Sequence, residues 1–313
     1  MNSLVSIVIP THNRCDLLIR AVRSACSQTY GNIEIIVVSD GSKDNTDSEM
    51  KRLAGTDSRI KYYSYETSKG GNYARNLGIK AAKGEYVAFL DDDDVWHSSK
   101  IELQMQMFNN DENIGLVCTA FYAIYEGENY KTLYIPPAPY DSSYRILIEN
   151  CIGSTTTVMV KKHLLEKVNM FDENLKAQQD YDLWIRLCQI TKIGVVRTPC
   201  VDYYNYPSSN QISQQTEKYR IAVDYIEHKY QDLFFRLKES DLKQRRVIQK
   251  LVIAKKALRN SERSLALKSI VDAMKIKPTT EAVGCLFALF MPPKVSRVIR
   301  GTLRSIKYRI KGA

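Results

Sequence analysis

An open α/β sheet with helices on both faces is the fold class that this sequence of 313 residues predicts. Three observations lead there. Short β-branched or aromatic runs recur about every 27 residues through the first hundred, as strands buried on both faces do. Helical spacing fills the gap between the first two runs, and strand, helix and strand at this distance make a βαβ crossover. Polar clusters follow three of the runs directly, which is where such sheets bind ligands, beyond the carboxyl ends of their strands.

Taken in chain order, Leu4–Ile9 is the first strand, and Pro10, Thr11, His12, Asn13 and Arg14 form the loop after it. Leu18, Ala21, Val22 and Ala25 fall at i, i+3, i+4 and i+7 and give the next segment one apolar stripe, with Asn13 and Asp16 placed to cap its start. Ile33–Val38 is the second strand, followed by Ser39-Asp40-Gly41-Ser42, and Ile60–Tyr65 is the third. Tyr86–Leu90, the fourth, runs straight into Asp91-Asp92-Asp93-Asp94. Three loops distant in sequence should therefore converge on one crevice.

Composition bounds the rest. With 44% apolar residues the chain can bury a real core, which excludes disorder, collagen and small disulfide scaffolds. The longest apolar stretch, near Val283–Met291, is far short of the roughly 20 residues a membrane-spanning helix needs, and Met1–Arg14 lacks the order of a signal peptide. A cytoplasmic protein is expected. Seven cysteines, at 15, 26, 118, 151, 188, 200 and 285, contain no C-x-x-C pair and read as buried thiols. Charge locates a boundary: residues 1–213 carry 22 basic and 26 acidic side chains, whereas 214–313 carry 23 and 9. We therefore expect an α/β domain over 1–213 and a basic helical region over 214–313, with helix-like units around Asp241–Asn260 and Ser261–Lys277. Lys294–Ala313 holds seven basic residues and no acid, a pattern suited to an anionic surface.

The aspartate run is the sharpest single feature. Like charges this close repel, and a divalent cation relieves the repulsion by taking carboxylate oxygens as ligands. Hard oxygen ligands suit Mg²⁺ or Mn²⁺ and leave coordination positions for a diphosphate. Alternatively, Asp92 to Asp94 cap the helix that carries Ile101, Met105 and Phe108.

Five segments in order now resemble a known family: Val5 to Arg14, Val37 to Thr46, Gly71 to Gly78, Phe89 to Asp94, and Gln179 to Arg186. They look like the motifs of the family 2, GT-A fold, inverting glycosyltransferases, and the likeness covers about residues 3–212. It implies a GT-A (nucleotide-diphospho-sugar transferase) fold with a mixed, mainly parallel sheet, and transfer of a sugar from a nucleotide diphosphate, usually UDP, with a divalent metal on the diphosphate. By the resemblance, Asp40 reads the uracil imide. Pro10, Thr11, His12 and Asn13 line base and ribose, and Arg75 reaches the nucleotide. Asp91 and Asp93 fill the D-x-D positions, with Asp93 the direct metal ligand and Asp91 or Asp92 holding the ribose.

An inverting displacement also needs a base within reach of the attacking hydroxyl. Asp180 takes this role, although the usual Glu-Asp is Gln179-Asp180 here. Asp182 competes. If Tyr181–Leu187 is helical, residues 180, 183, 184 and 187 share one face and Asp182 points elsewhere; Asp180 could instead serve as that helix's N-cap. Tyr206 stands where many relatives carry a metal-binding histidine, so weaker metal binding is expected.

The expected function is a cytoplasmic, Mn²⁺- or Mg²⁺-dependent inverting transferase moving a hexose from a UDP-sugar to a glycan acceptor. The resemblance is to enzymes of bacterial surface polysaccharide synthesis, which implies an acceptor on a lipid diphosphate and a peripheral location on the inner face of the cell membrane. After Pro292-Pro293, the stripe Val295, Val298, Ile299, Leu303 and Ile306 with its flanking lysines and arginines reads as an amphipathic helix for an anionic leaflet. A nucleotidyltransferase would need a Gly-rich loop after its first strand, and Pro10–Arg14 has no glycine. A nucleic-acid partner is not expected, because Tyr308 is the only aromatic in Lys294–Ala313.

Overall fold

A computed structural model describes residues 3–125, 131–137, 141–206 and 216–291. In chain order the first unit contains β1 (Val5–Thr11), α1 (Cys15–Cys26), β2 (Ile33–Asp40), α2 (Thr46–Thr56), β3 (Ile60–Tyr65), α3 (Gly71–Ala81), β4 (Tyr86–Phe89), β5 (Val95–Trp96), α4 (Lys100–Asn110), β6 (Ile114–Tyr125) and β7 (Lys131–Tyr134). It continues, after α5 (Ser142–Ile148), with β8 (Val158–Lys161), α6 (Lys162–Lys167), α7 (Gln179–Cys188) and β9 (Lys192–Asn205). Packing places the described residues of 3–142, Cys151–Asn174 and Gln179–Asn205 in this unit, and Ser143–Asn150, Leu175–Gln178 and the described residues of 206–291 in a second.

The strands form one mixed sheet in the order β3-β2-β1-β4-β8-β6-β9-β5, with β7 on β6. β1, β2, β3 and β4 run parallel, as do β6 and β9, while β8 lies antiparallel between β4 and β6. Every residue of β1 and β2 is buried, which is why both read as continuous apolar runs rather than alternating ones. The stripe expected on α1 packs against them, and Leu18, Ala21 and Ala25 are wholly inaccessible. Truncating a side chain buried like Leu18 costs about 2–5 kcal/mol.

Strand order fixes where a ligand can sit. The chain builds outward from β1 through β2 to β3 and then returns to the other side of β1 with β4, so the topological switch lies between β1 and β4. Their carboxyl ends carry Thr11–Arg14 and Asp91–Asp94.

Two local expectations need correction. Asn13 does not cap α1: the cap position belongs to Arg14, without a side-chain cap bond, and Asn13 adopts a φ of 53° that turns its amide toward the next loop. Nor do Asp92 to Asp94 cap α4, because β5 intervenes and Ser99 is its cap residue. The aspartates are therefore not explained as caps of that helix.

The second unit is helical: α8 (Thr216–Lys229), α9 (Gln231–Phe234), α10 (Glu239–Arg259), α11 (Arg263–Ile276) and α12 (Thr280–Ala288). Val247, Leu251, Ala254 and Ala257 of α10 meet Ala266, Ile270 and Ala273 of α11 and Ala282 and Cys285 of α12. No helix among the described residues is long and apolar enough to cross a membrane. Lys294–Ala313, with its expected amphipathic helix, lies outside the described residues.

Candidate active site

Four consecutive residues, from the last of β1 to Arg14, each tie that strand's end to another loop. Thr11 donates its hydroxyl to Asp92 Oδ2 at 2.8 Å. His12 Nδ1 meets the carbonyl of Asp40; a carbonyl only accepts, so that nitrogen carries the proton and Nε2 is left to accept from Asn13 Nδ2 at 3.1 Å. Asn13 Oδ1 accepts the Lys43 N–H at 2.6 Å. Arg14 Nη1 lies 3.1 Å from both Asp92 Oδ1 and Asp93 Oδ2. Pro10 sits in β1 opposite Val38 and is buried.

Asp40 organises the second loop. Its Oδ1 accepts from the Tyr65 hydroxyl at 2.8 Å and the Lys69 N–H at 2.6 Å, and its Oδ2 from the Ser68 hydroxyl at 2.7 Å and the Gly70 N–H at 2.9 Å. Burial alone would raise its pKa, but these donors outweigh burial and hold the carboxyl below its ordinary value. The two loops approach so closely that a Cβ on Gly41, at φ 67°, would come within 2.6 Å of the Ser68 nitrogen. Asp40 thus spends its lone pairs on the segment 65–70, a use that its place in a motif does not reveal.

The aspartate run divides into four environments. Asp91 Oδ1 accepts from Arg75 Nη2 at 2.6 Å, and that guanidinium, nearly buried, also stands over the Phe171 ring. Asp92 is buried; burial and the charge of Asp93 push its pKa up to about 6 against the pull of Arg14 and Thr11. Asp93 shares Arg14 with it, and its carbonyl accepts from Arg20 Nη2 at 2.7 Å. Asp94 is wholly buried, and the Tyr204 N–H of β9 donates to its Oδ1 at 2.9 Å. Arg20 in turn lies 4.1 Å above the Tyr204 ring, so the run is clamped from β1, α1 and β9 together.

On α7 the two carboxylates separate by helix face. Asp182 is fully buried and paired with Arg186 at 2.5 Å, and Arg186 also donates to the Met170 carbonyl at 2.7 Å. Asp180 is half-buried at the start of the helix, where its Oδ1 accepts the Tyr181 N–H at 2.8 Å. Burial pushes its pKa up to about 6; the Asp91 charge adds to this, while the Tyr181 N–H and Arg75 oppose it. A carboxyl poised there is largely ionised at neutral pH and basic enough to take a proton.

The residues fit a divalent cation in one mode only. Among the described residues, no group of three or more His, Cys, Asp and Glu side chains is arranged to hold a metal. What the chain offers is hard carboxylate oxygens in the aspartate run, with the guanidinium of Arg14 seated between Asp92 and Asp93. That set suits an ion shared between one or two carboxylates and a ligand's phosphates. Tyr206 is buried.

The family model of Glycosyl transferase family 2 matches residues 6–170. The chain belongs to that family. An uncharacterized glycosyltransferase of Rickettsia typhi is 35% identical over 200 residues, 61% of this chain and 60% of that protein. Across the Rickettsia relatives the match spans 32–60% of their length. The Escherichia coli UDP-Glc:alpha-D-GlcNAc-diphosphoundecaprenol beta-1,3-glucosyltransferase WfgD is 32% identical over 240 residues, 75% of this chain and 91% of WfgD. Staphylococcus aureus TarS, solved with UDP-GlcNAc, superposes with a TM-score of 0.57 at 17% identity, over 97% of this chain and 91% of that one. Pyrobaculum calidifontis mannosyltransferase PcManGT, solved with GDP-Man and Mn²⁺, gives 0.57 at 15% identity, over 98% and 86%. These likenesses carry the GT-A fold.

Within that fold, the topology and the contacts above bring Thr11, His12, Asp40, Asp91, Asp92, Asp93 and Arg75 to the carboxyl ends of β1, β2 and β4, and Asp180, on α7, lies within reach of the charges of Asp91 and Arg75. Arg14 escaped the sequence reading as a contact residue. Its place at the end of the first loop, beside a run of four acids elsewhere, was the available signal.

Proposed function

We propose that the protein is a metal-dependent inverting glycosyltransferase that moves a hexose from a UDP-sugar to a hydroxyl of a glycan carried on a lipid diphosphate, at the inner face of the cell membrane. The observation that carries this reading is that Thr11, Arg14 and Arg75 meet the aspartate run at the switch point between β1 and β4; the direction of the Asp180 shift, raised by burial and by the Asp91 charge, supports it. A proton acceptor and a diphosphate-binding cluster then serve one reaction.

In this reading the loop after β1 and the Asp40-braced segment 65–70 shape the nucleoside site, and Arg75 orients Asp91. Asp93 would hold a Mn²⁺ or Mg²⁺ ion, whose charge offsets the negative charge that builds on the departing diphosphate, with Asp91 or Asp92 on the ribose. Asp180 takes the proton of the acceptor hydroxyl as that oxygen attacks the anomeric carbon from the face opposite the diphosphate. Arg14 must give up Asp93 for an ion to enter, and its guanidinium is then free to meet the phosphates. The UDP and lipid-diphosphate assignments are supported by what TarS was solved with and by the substrate in WfgD's name. For the membrane, support comes from the basic composition of Lys294–Ala313 and from the exposed rings of Phe287 and Phe290 just before it.

The test is a panel of UDP-sugars screened for UDP release with and without a metal chelator. One UDP-sugar should be hydrolysed or transferred, and chelation should stop it, as should Asp93→Ala. Full turnover by stripped enzyme would exclude the metal, and no release from any UDP-sugar would exclude the donor class.

A further inference from the structure

The donor and the base leave one part of this region without a role. Phe121 on β6 stands directly across from Tyr134 on β7, with ring centroids 4.8 Å apart. Tyr203 on β9 extends the set, 5.7 Å from Phe121. All three are partly exposed, although Phe121 also packs one side against the core, whereas Phe89, Trp96 and Trp184 are buried within it. A merely structural aromatic cluster would be expected to close over itself, since each ring offers 150 Å² or more of burial.

Two separate paths tie these rings to the aspartate run and to the helix of Asp180. Tyr203 is followed on β9 by Tyr204, whose N–H donates to Asp94 Oδ1 at 2.9 Å, which sets this strand beside the aspartate run. Trp184, one turn beyond Asp180 on the same side of α7, donates its indole N–H to the Gly153 carbonyl at 3.0 Å. A Cβ on Gly153 would come 3.9 Å from the rings of both Phe121 and Tyr134. Gly153 sits at φ 110°, a conformation that other residues rarely adopt, so this segment passes the rings without laying a side chain across them.

We propose that Tyr203, Phe121 and Tyr134 form the subsite for the acceptor's terminal sugar ring, leading away from Asp180; the proposal rests on the transferase reading above. A pyranose presents a face of C–H groups, which an aromatic face receives through dispersion and the ring quadrupole, while its hydroxyls stay at the edge. Such a platform orients a neutral sugar without charged side chains, and it leaves one hydroxyl at the rim nearest Asp180. The occupant is a pyranose of the acceptor, since the transferase reading gives the donor's diphosphate to Arg14, Arg75 and the aspartate run.

The experiment uses the full chain, UDP, and a synthetic lipid diphosphate bearing one N-acetylhexosamine. In saturation-transfer NMR, the wild-type protein should pass magnetisation to the sugar's ring protons. Phe121→Ala and Tyr134→Ala should each lower acceptor kcat/KM tenfold or more, with UDP affinity by calorimetry unchanged. Tyr134→Phe should restore it, because the ring face and not the hydroxyl is at work. If the alanine variants do not fold, Phe121→Leu and Tyr134→Leu keep apolar volume without an aromatic face and carry the same expectation. No transfer to the sugar in wild-type protein that binds UDP, or wild-type acceptor kcat/KM in the variants, would overturn the platform. Failure to bind UDP at all would instead overturn the transferase reading.

Discussion

Asp180→Asn is the decisive perturbation of the site. The amide keeps the shape of the carboxyl and its acceptance of the Tyr181 N–H, but it cannot take a proton. Loss of a positioned general base costs about 10²–10⁴ in turnover, or about 2.7–5.4 kcal/mol in the barrier. The pH dependence follows from the raised pKa. The base works deprotonated, so with a pKa of about 6 activity should be near its plateau at pH 7 and fall about tenfold per unit below pH 6. The assay is UDP release at saturating donor across pH 5 to 8, with UDP affinity measured in parallel. Wild-type enzyme should show the acid limb, and Asp180→Asn a low rate without it, with UDP affinity intact. Asp182→Asn should act differently: it strips the partner from Arg186 in a buried pair and should cost about 3–5 kcal/mol of stability, seen as a lower melting temperature. The reasoning fails if Asp180→Asn keeps the acid limb, or if a folded Asp182→Asn loses more turnover than Asp180→Asn.

Arg14→Ala removes the guanidinium that Asp92 and Asp93 share, so stability at pH 7 should fall by about 1–3 kcal/mol. The same change should raise Mn²⁺ affinity several-fold in protein without donor, read by electron paramagnetic resonance; unchanged affinity would show that Arg14 and the ion do not compete. Asp40→Asn removes half of the acceptor capacity that gathers Tyr65, Ser68, Lys69 and Gly70, and should weaken UDP binding at least tenfold by calorimetry. Because the folded pKa of Asp40 lies below its ordinary value, its contribution to stability is fully present above about pH 4 and is lost as pH falls through the folded value. Asp40→Asn should therefore flatten the acid limb of stability, and an unchanged limb would place the sensitivity elsewhere. Deleting Lys294–Ala313 should release the protein from sedimenting vesicles of anionic lipid while UDP-sugar hydrolysis persists; equal sedimentation of both forms would end the membrane role.

The first four strands and the three polar loops were legible in the sequence because their signals are local. A run such as Val5–Ile9 buries both faces wherever its neighbours lie, and the 3.6-residue stripe of α1 needs only its own residues. Helix spacing likewise anticipated that Asp180 and Asp182 would part company. The Asn13 cap was misread for an equally physical reason: a polar side chain before a helix will cap it or brace a neighbouring loop, and the choice depends on what the fold brings near. Here Lys43 was near.

What the sequence by itself determined is the inventory: an α/β sheet, a family 2 motif set, and the carboxylates and cations that belong to it. The tertiary structure alone decided how they are spent. Only the order β3-β2-β1-β4 puts the switch point between Thr11 and Asp92, and only the packed loops show that Arg14 neutralises Asp92 and Asp93, that Asp40 is saturated from within, and that Asp182 is locked to Arg186. The reason is that propensity and periodicity are written in near neighbours along the chain, whereas the fate of a charge is set by burial and by partners such as those between Arg14 and Asp93 or between Asp180 and Asp91, which lie about eighty to ninety residues away.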